Sequence, residues 1–186
     1  MNQYVAFLRG INVGGKNLIK MTDLKSCFED LGFQDVHTYI QSGNVLFSAA
    51  KSDQANLTKQ IEDALSKMFN YESRVVVRSL KQMKDIVTHA PKGFGSDSAT
   101  YRYDVIFLKA PLTAAQAMKS VTTKEGVDQA FAGKSVLYFS RLISRASQSN
   151  LTRIITTPVY RSMTIRNWNT TTKLLNMMKA MSTADD

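Results

Sequence analysis

The 186-residue chain holds one cysteine, two histidines, three prolines and one tryptophan. With Cys27 alone, an internal disulfide is excluded, which fits a reducing compartment. His37 and His89 lack metal-ligand spacing to each other or to another cysteine or acid. No serine stands in a nucleophile elbow, and nothing resembles a catalytic triad or carboxylate pair. The sequence therefore names no catalytic residue, no metal and no cofactor. No apolar run approaches the ~20 residues that span a bilayer. The first residues run straight into a strand-like pattern rather than a secretory leader, so the expected location is cytoplasmic, with no membrane partner.

The most telling absence is of acid. Between residues 129 and 184 there is no Asp or Glu, while Lys134, Arg141, Arg145, Arg153, Arg161, Arg166, Lys173 and Lys179 all fall there. These account for most of the +9 net charge. Such a block raises the local potential and draws anionic partners, a small molecule or a nucleic acid, or it is a solvated basic face.

What is present centres on the loop Leu8-Arg9-Gly10-Ile11-Asn12-Val13-Gly14-Gly15-Lys16-Asn17. A strand over residues 4–8 feeds three glycines, two cations and two asparagines, a composition suited to a tight turn that grips an anion or polar ligand. Thr22 reads as the N-cap of a helix over 23–31, with Leu24, Cys27, Phe28 and Leu31 inward and Gly32 as its stop. Residues 36–41 and 45–48 read as a hairpin about Ser42-Gly43-Asn44. A helix opened by Asp53 or Asn56 runs to about Phe69, with Leu57, Ile61, Ala64, Leu65 and Met68 inward. A strand over 74–78 completes β-α-β-β-α-β, the split βαβ pattern.

The second half repeats this pattern without a visible sequence repeat. It reads as a helix over 80–89, a strand over 104–109, a short helix capped by Thr113, and a hairpin of 127–131 with 135–140. A helix near 150–155 and a last one from Asn167 or Trp168 to Met181 follow. The expected domains are residues 1–78 and 79–181, with a dispensable tail at 182–186. In the first half both alternating faces of the strands are apolar. The sheet's second face should therefore be covered, by the other half or by another subunit, which leaves a homo-oligomer open.

Three motifs occur in order: Tyr4-x-Ala6-Phe7-Leu8-Arg9-Gly10-Ile11-Asn12-Val13-Gly14-Gly15, Gln41-Ser42-Gly43-Asn44-Val45 and Thr164-x-Arg166-Asn167-Trp168-Asn169-Thr170. Together they closely resemble the bacterial family called domain of unknown function 1697, over essentially the whole chain. The resemblance implies an α+β fold of two ferredoxin-like (alpha-beta plait) halves packed together. It implies no activity.

The opening loop nearly spells the phosphate-binding loop G-x-x-x-x-G-K-[ST]. Asn17, however, replaces the hydroxyl residue, the next helix starts too late for its dipole to face the loop, and no strand ends in a magnesium-binding acid. Two readings remain. Gly14 and Gly15 form a turn while Arg9 and Asn12 hold neighbouring loops, or Arg9, Asn12, Gly14, Gly15, Lys16 and Asn17 bind an anion. Gln41, Ser42 and Asn44 are turn residues or additional ligand contacts. Arg166, Asn167 and Asn169 open the last helix, where the positive helix end favours an anion or the asparagines serve as caps.

The best-fitting function is binding of a phosphate- or carboxylate-bearing small ligand where the halves meet. One alternative is RNA binding, with Phe7 and Phe47 as stacking residues. Another is a protein-interaction module without a ligand.

Overall fold

The structure is a computed structural model that describes residues 1–12 and 14–183. Val13 of the opening motif and residues 184–186 of the expected tail lie outside the described residues. The chain runs β1 (Asn2–Leu8), α1 (Met21–Asp30), β2 (Gln34–Tyr39), β3 (Asn44–Ala49), α2 (Gln54–Phe69), β4 (Val75–Ser79) and α3 (Leu80–Thr88). It continues with β5 (Tyr101–Leu108), α4 (Ala114–Met118), β6 (Asp128–Ala132), β7 (Val136–Leu142), β8 (Met163–Asn167) and α5 (Trp168–Thr183). The strands form two antiparallel sheets, ordered β2-β3-β1-β4 and β6-β7-β5-β8, so the fold is α+β. Two compact units result: Met1–Lys84 with Lys173–Asp186, and Asp85–Thr172. The division falls inside α3 and α5.

In the first unit, Tyr4, Ala6 and Leu8 alternate onto the face covered by α1 and α2. They join Leu24, Cys27, Phe28, Phe47, Leu57, Ile61 and Leu65 in one core. Each fully buried Leu, Ile or Phe among them contributes ~1.5–3 kcal/mol. Phe47 sits at its centre, stacked on Tyr4 at 5.5 Å and on Phe33 at 4.5 Å, with Phe28 edge-on at 5.5 Å. Val5, Phe7 and Leu46, which alternate onto the opposite face, are equally buried, so the second sheet face is covered as the apolar alternation requires.

The second unit repeats the plan with its own core of Ile106, Leu108, Ala114, Ala117, Leu137, Phe139, Leu151, Ile154 and Met163. The registers of its central strand β5 with β7 and β8 match those of β1 with β3 and β4 position for position, while the bulge between Gln34 and His37 in β2 has no counterpart in β6. Val5 lies opposite Leu46 and Arg78, and Val105 lies opposite Tyr138 and Arg166. The pattern repeat seen in the sequence is therefore a repeat of hydrogen-bonded register.

Several local expectations are corrected. Thr22 does not cap α1: the helix has already begun at Met21, and the Thr22 hydroxyl donates to Asp23. Met68 is 48% exposed rather than inward, because α2 buries only one stripe. Residues 150–155 are not α-helical. Three short 3-10 runs, Ile143–Gln148, Asn150–Thr156 and Pro158–Ser162, stand where the first unit has α2. The last motif does not open within a helix. Met163–Asn167 is a strand paired with β5, and α5 follows it without a loop. The β-branched Thr164 and Ile165 favour that strand.

Candidate functional site

The first two motifs meet in the first unit. Asn12 Nδ2 donates to the carbonyls of Ile19 (3.1 Å) and Gln41 (3.1 Å), while Asn12 Oδ1 accepts from Ile19 N at 2.8 Å. Asn17 Nδ2 donates to Gly10 O at 2.8 Å, and Asn12 N donates to Asn17 O at 3.1 Å. Asn12 and Asn17 hold φ values of +52° and +47°, a region that asparagine tolerates better than most residues. Asn44 is fully buried, and its amide donates to Tyr39 O and Ser42 Oγ, both at 3.0 Å. Leu8 N donates to Gly43 O at 2.7 Å. Opening loop and hairpin turn are thus bolted together by their own asparagines.

That arrangement commits the amides of Asn12, Asn17 and Asn44 internally. Gly14, Gly15, Lys16 and the Gln41 side chain remain exposed around the lock, with Arg9 and Ser42 half-buried. Phe7 and Phe47 are fully buried, so neither ring offers an open stacking surface.

The second unit carries a cavity of about 410 Å³ at the start of β5 and the end of β8. Arg102 and Asp104 of β5, Arg141 of β7, and Asn167, Trp168 and Asn169 of the third motif line it, with Tyr101, Tyr103, Gly95 and Ser98 around the rim. Two of the residues expected as ligand contacts, Asn167 and Asn169, are therefore part of its wall. Asn167 also serves the helix, since its Oδ1 accepts from Thr170 N at 2.7 Å and caps α5. Phe94 meets Trp168 at 5.2 Å with the planes at 90° and also contacts Tyr103 and Tyr138, so the aromatic wall is braced.

Asp104 is 8% exposed. Its Oδ2 lies 3.6 Å from Arg141 Nη2, an ion pair too long to be a hydrogen bond. Burial raises the Asp104 pKa, and Arg141 and Arg102 oppose that shift. Neither Asp104 Oδ2 nor Arg141 Nε has a hydrogen-bond partner among the described residues. Asp104, Arg102 and the two tyrosines were not singled out from the sequence, and Arg141 stood out there only as one cation of the basic block. The usable signal was Asp104 set directly before the apolar run Val105–Leu108.

Arg166, the remaining expected contact, does not line the cavity. It occupies in β8 the position that Arg78 occupies in β4, and both behave alike. Arg166 Nη1 donates to Ile165 O at 2.9 Å and Arg78 Nη1 to Val77 O at 2.8 Å. Burial lowers the pKa of each guanidinium to about 10.

The first unit has a cavity at the equivalent place, about 560 Å³, lined by Asn2, Gln3, Tyr4, Ser79, Leu80 and Lys81 together with Lys51 and Lys84. His37 and His89 are exposed, and Cys27 is buried with its thiol pKa raised mainly by desolvation. Among the described residues no cluster of three or more His, Cys, Asp or Glu could hold a metal, and no helix is long and apolar enough to cross a membrane.

Residues 1–138 match the family model described as protein of unknown function (DUF1697). The chain belongs to this family. The match ends at Tyr138, so the third motif lies beyond it, and the resemblance by family model covers less of the chain than the motifs suggested. A solved structure, that of the conserved bacterial protein SP0830 from Streptococcus pneumoniae, extends the likeness further. It is 27% identical, with a TM-score of 0.84 over 95% of this chain and 98% of that one. No curated protein sequence matches the chain.

Proposed function

We propose that this protein binds a small phosphate- or carboxylate-bearing ligand, and that the cavity of the second unit holds it. The observation that supports this reading is the convergence of Arg102, Arg141, Asn169 and the positive end of the 16-residue helix α5 on one concavity. Its volume falls within the ~300–1,000 Å³ usual for ligand pockets. Each unit is read as a ferredoxin-like plait, supported by the β-α-β-β-α-β order and strand order β2-β3-β1-β4 of the first. In the second unit, 3-10 runs replace the second helix. A cytoplasmic location fits the lone buried thiol.

The test is a melting screen of the full chain against inorganic phosphate, citrate, sugar phosphates and nucleotides. Stabilisation by one of these classes, lost in Arg141→Ala, is the expected result. No shift with any anion at millimolar concentration removes the reading.

A further inference from the structure

The first unit's cavity sits at the same sheet positions as the second unit's, because β1 pairs with β3 and β4 in the register of β5 with β7 and β8. Asn2, Gln3 and Tyr4 correspond to Arg102, Tyr103 and Asp104, and Ser79 corresponds to Asn167. Each of these residues lines its own cavity. Arg141, the second unit's other strand cation, corresponds to Ala49. The strand residues lining the first cavity thus carry neither cation nor acid.

Its charge comes from elsewhere and is of one sign. Lys51 follows β3, and Lys81 and Lys84 stand one turn apart on α3; all three are exposed, and they line the cavity with no Asp or Glu among its walls. None of the three ammonium groups makes an ion pair among the described residues. Asp53 and Asp85, close to these lysines in sequence, do not line the cavity, and Asp53 instead accepts from Asn56 N to cap α2. A cleft walled by one sign of charge concentrates potential and raises the local concentration of counter-ions. The neutral part of the wall is held in place without a ligand. Gln54 Nε2 donates to Val77 O, Gln82 Nε2 donates to Gln54 Oε1 at 2.9 Å, and Gln82 Oε1 accepts from Ser79 N at 2.9 Å.

All three cations are lysine. A lysine ammonium is a point charge on a flexible stem, without the fork by which arginine holds a single carboxylate or phosphate. Three of them around a cavity of about 560 Å³ suit a chain of linked phosphates better than one small anion. Three cations also fall short of the longer basic track along which proteins hold a nucleic-acid backbone. We propose that the first unit's cavity binds a free oligophosphate, two or more linked phosphates as in tripolyphosphate or a nucleoside triphosphate, with Lys51, Lys81 and Lys84 as its counter-charges. This site shares no residue with the second unit's cavity and is tested independently of it.

The experiment is calorimetric titration of the full chain with orthophosphate, pyrophosphate, tripolyphosphate and a short oligouridylate without a terminal phosphate. Affinity should rise from orthophosphate to tripolyphosphate. Lys51→Gln and the double variant Lys81→Gln/Lys84→Gln should each weaken tripolyphosphate binding about tenfold or more, as for lost hydrogen bonds to a charged group. Lys67→Gln, at an exposed position of α2 outside the cavity, should change it by no more than about twofold. Because every altered lysine is exposed, the ligand-free melting temperatures should match that of the parent. Equal affinity for orthophosphate and tripolyphosphate would overturn the oligophosphate assignment. A loss in Lys67→Gln as large as that in Lys51→Gln would reduce the binding to general attraction by a basic chain. Tripolyphosphate binding retained in both cavity variants, or absent from the parent, would remove the site. An oligouridylate that binds more tightly than tripolyphosphate would replace the free oligophosphate with a nucleic acid.

Discussion

Asp104 stands in β5 where Tyr4 stands in β1, each facing a buried phenylalanine across the sheet, Phe139 and Phe47. The aromatic pair stacks, whereas the carboxylate pairs loosely with Arg141. Replacing both charges, as in Asp104→Tyr/Arg141→Ala, should raise stability at pH 7 by ~1 kcal/mol. The pH dependence fixes the sign. Burial raises the Asp104 pKa above 3.8 in the folded state. Its contribution to stability is complete below that value and is lost as pH rises through the folded pKa. Urea unfolding at a series of pH values should show the variant's advantage growing from about pH 4 upward. An advantage that is flat across pH would contradict this account.

Asn12 makes three side-chain hydrogen bonds from a left-handed backbone. At ~1 kcal/mol each, with a further ~1 for placing alanine at positive φ, Asn12→Ala should cost ~2–4 kcal/mol. Asn12→Gly loses the same bonds without the backbone penalty and should be the milder change. Denaturant midpoints would separate the two, and faster hydrogen exchange at the Ile19 amide would report the loosened loop in both.

Glycines in the two joined motifs differ sharply in what they tolerate. Gly43 is buried at φ +76°, and a Cβ there would lie 2.8 Å from Leu8 Cβ and 2.9 Å from Ile11 Cδ1. Gly14, at φ +59°, has nothing within 4 Å. Gly43→Ala should therefore destabilise by ~3 kcal/mol or more, and Gly14→Ala by only ~1 kcal/mol. Equal melting temperatures for the two variants would show that the turn does not pack as described.

Local pattern carried the fold well where it was strong. The order of the first unit was readable because Leu57, Ile61 and Leu65 keep helical spacing and Val75, Val76 and Val77 form a compact β-branched run. Strand β8 was hidden because it passes into α5 with no intervening turn residue. Ile165 and Trp168 are spaced as if on one helix face. The 3-10 runs have no periodic apolar stripe to announce them. The cavity was only half legible: Asn167 and Asn169 sit in a recognisable motif, whereas Asp104 and Arg141 become neighbours only through β5–β7 pairing. No local spacing encodes that juxtaposition.

Both asparagines of the third motif line the cavity, and Asn167 caps α5 as well. Asn167 caps α5 through the 2.7 Å bond from Thr170 N, and its counterpart Ser79 forms the same kind of cap on α3, accepting from Gln82 N. Asn169 is exposed and lines the cavity. Asn167→Ala should thus lower stability by ~1 kcal/mol, and Asn167→Ser, which imports the first unit's cap, should restore most of it. Asn169→Ala should leave the stability of the ligand-free chain within ~0.5 kcal/mol of the parent while weakening whatever the screen finds to bind. Paired melting curves with and without ligand measure both effects. A loss of stability from Asn169→Ala matching that from Asn167→Ala would place both residues in the cap and remove Asn169 from the site.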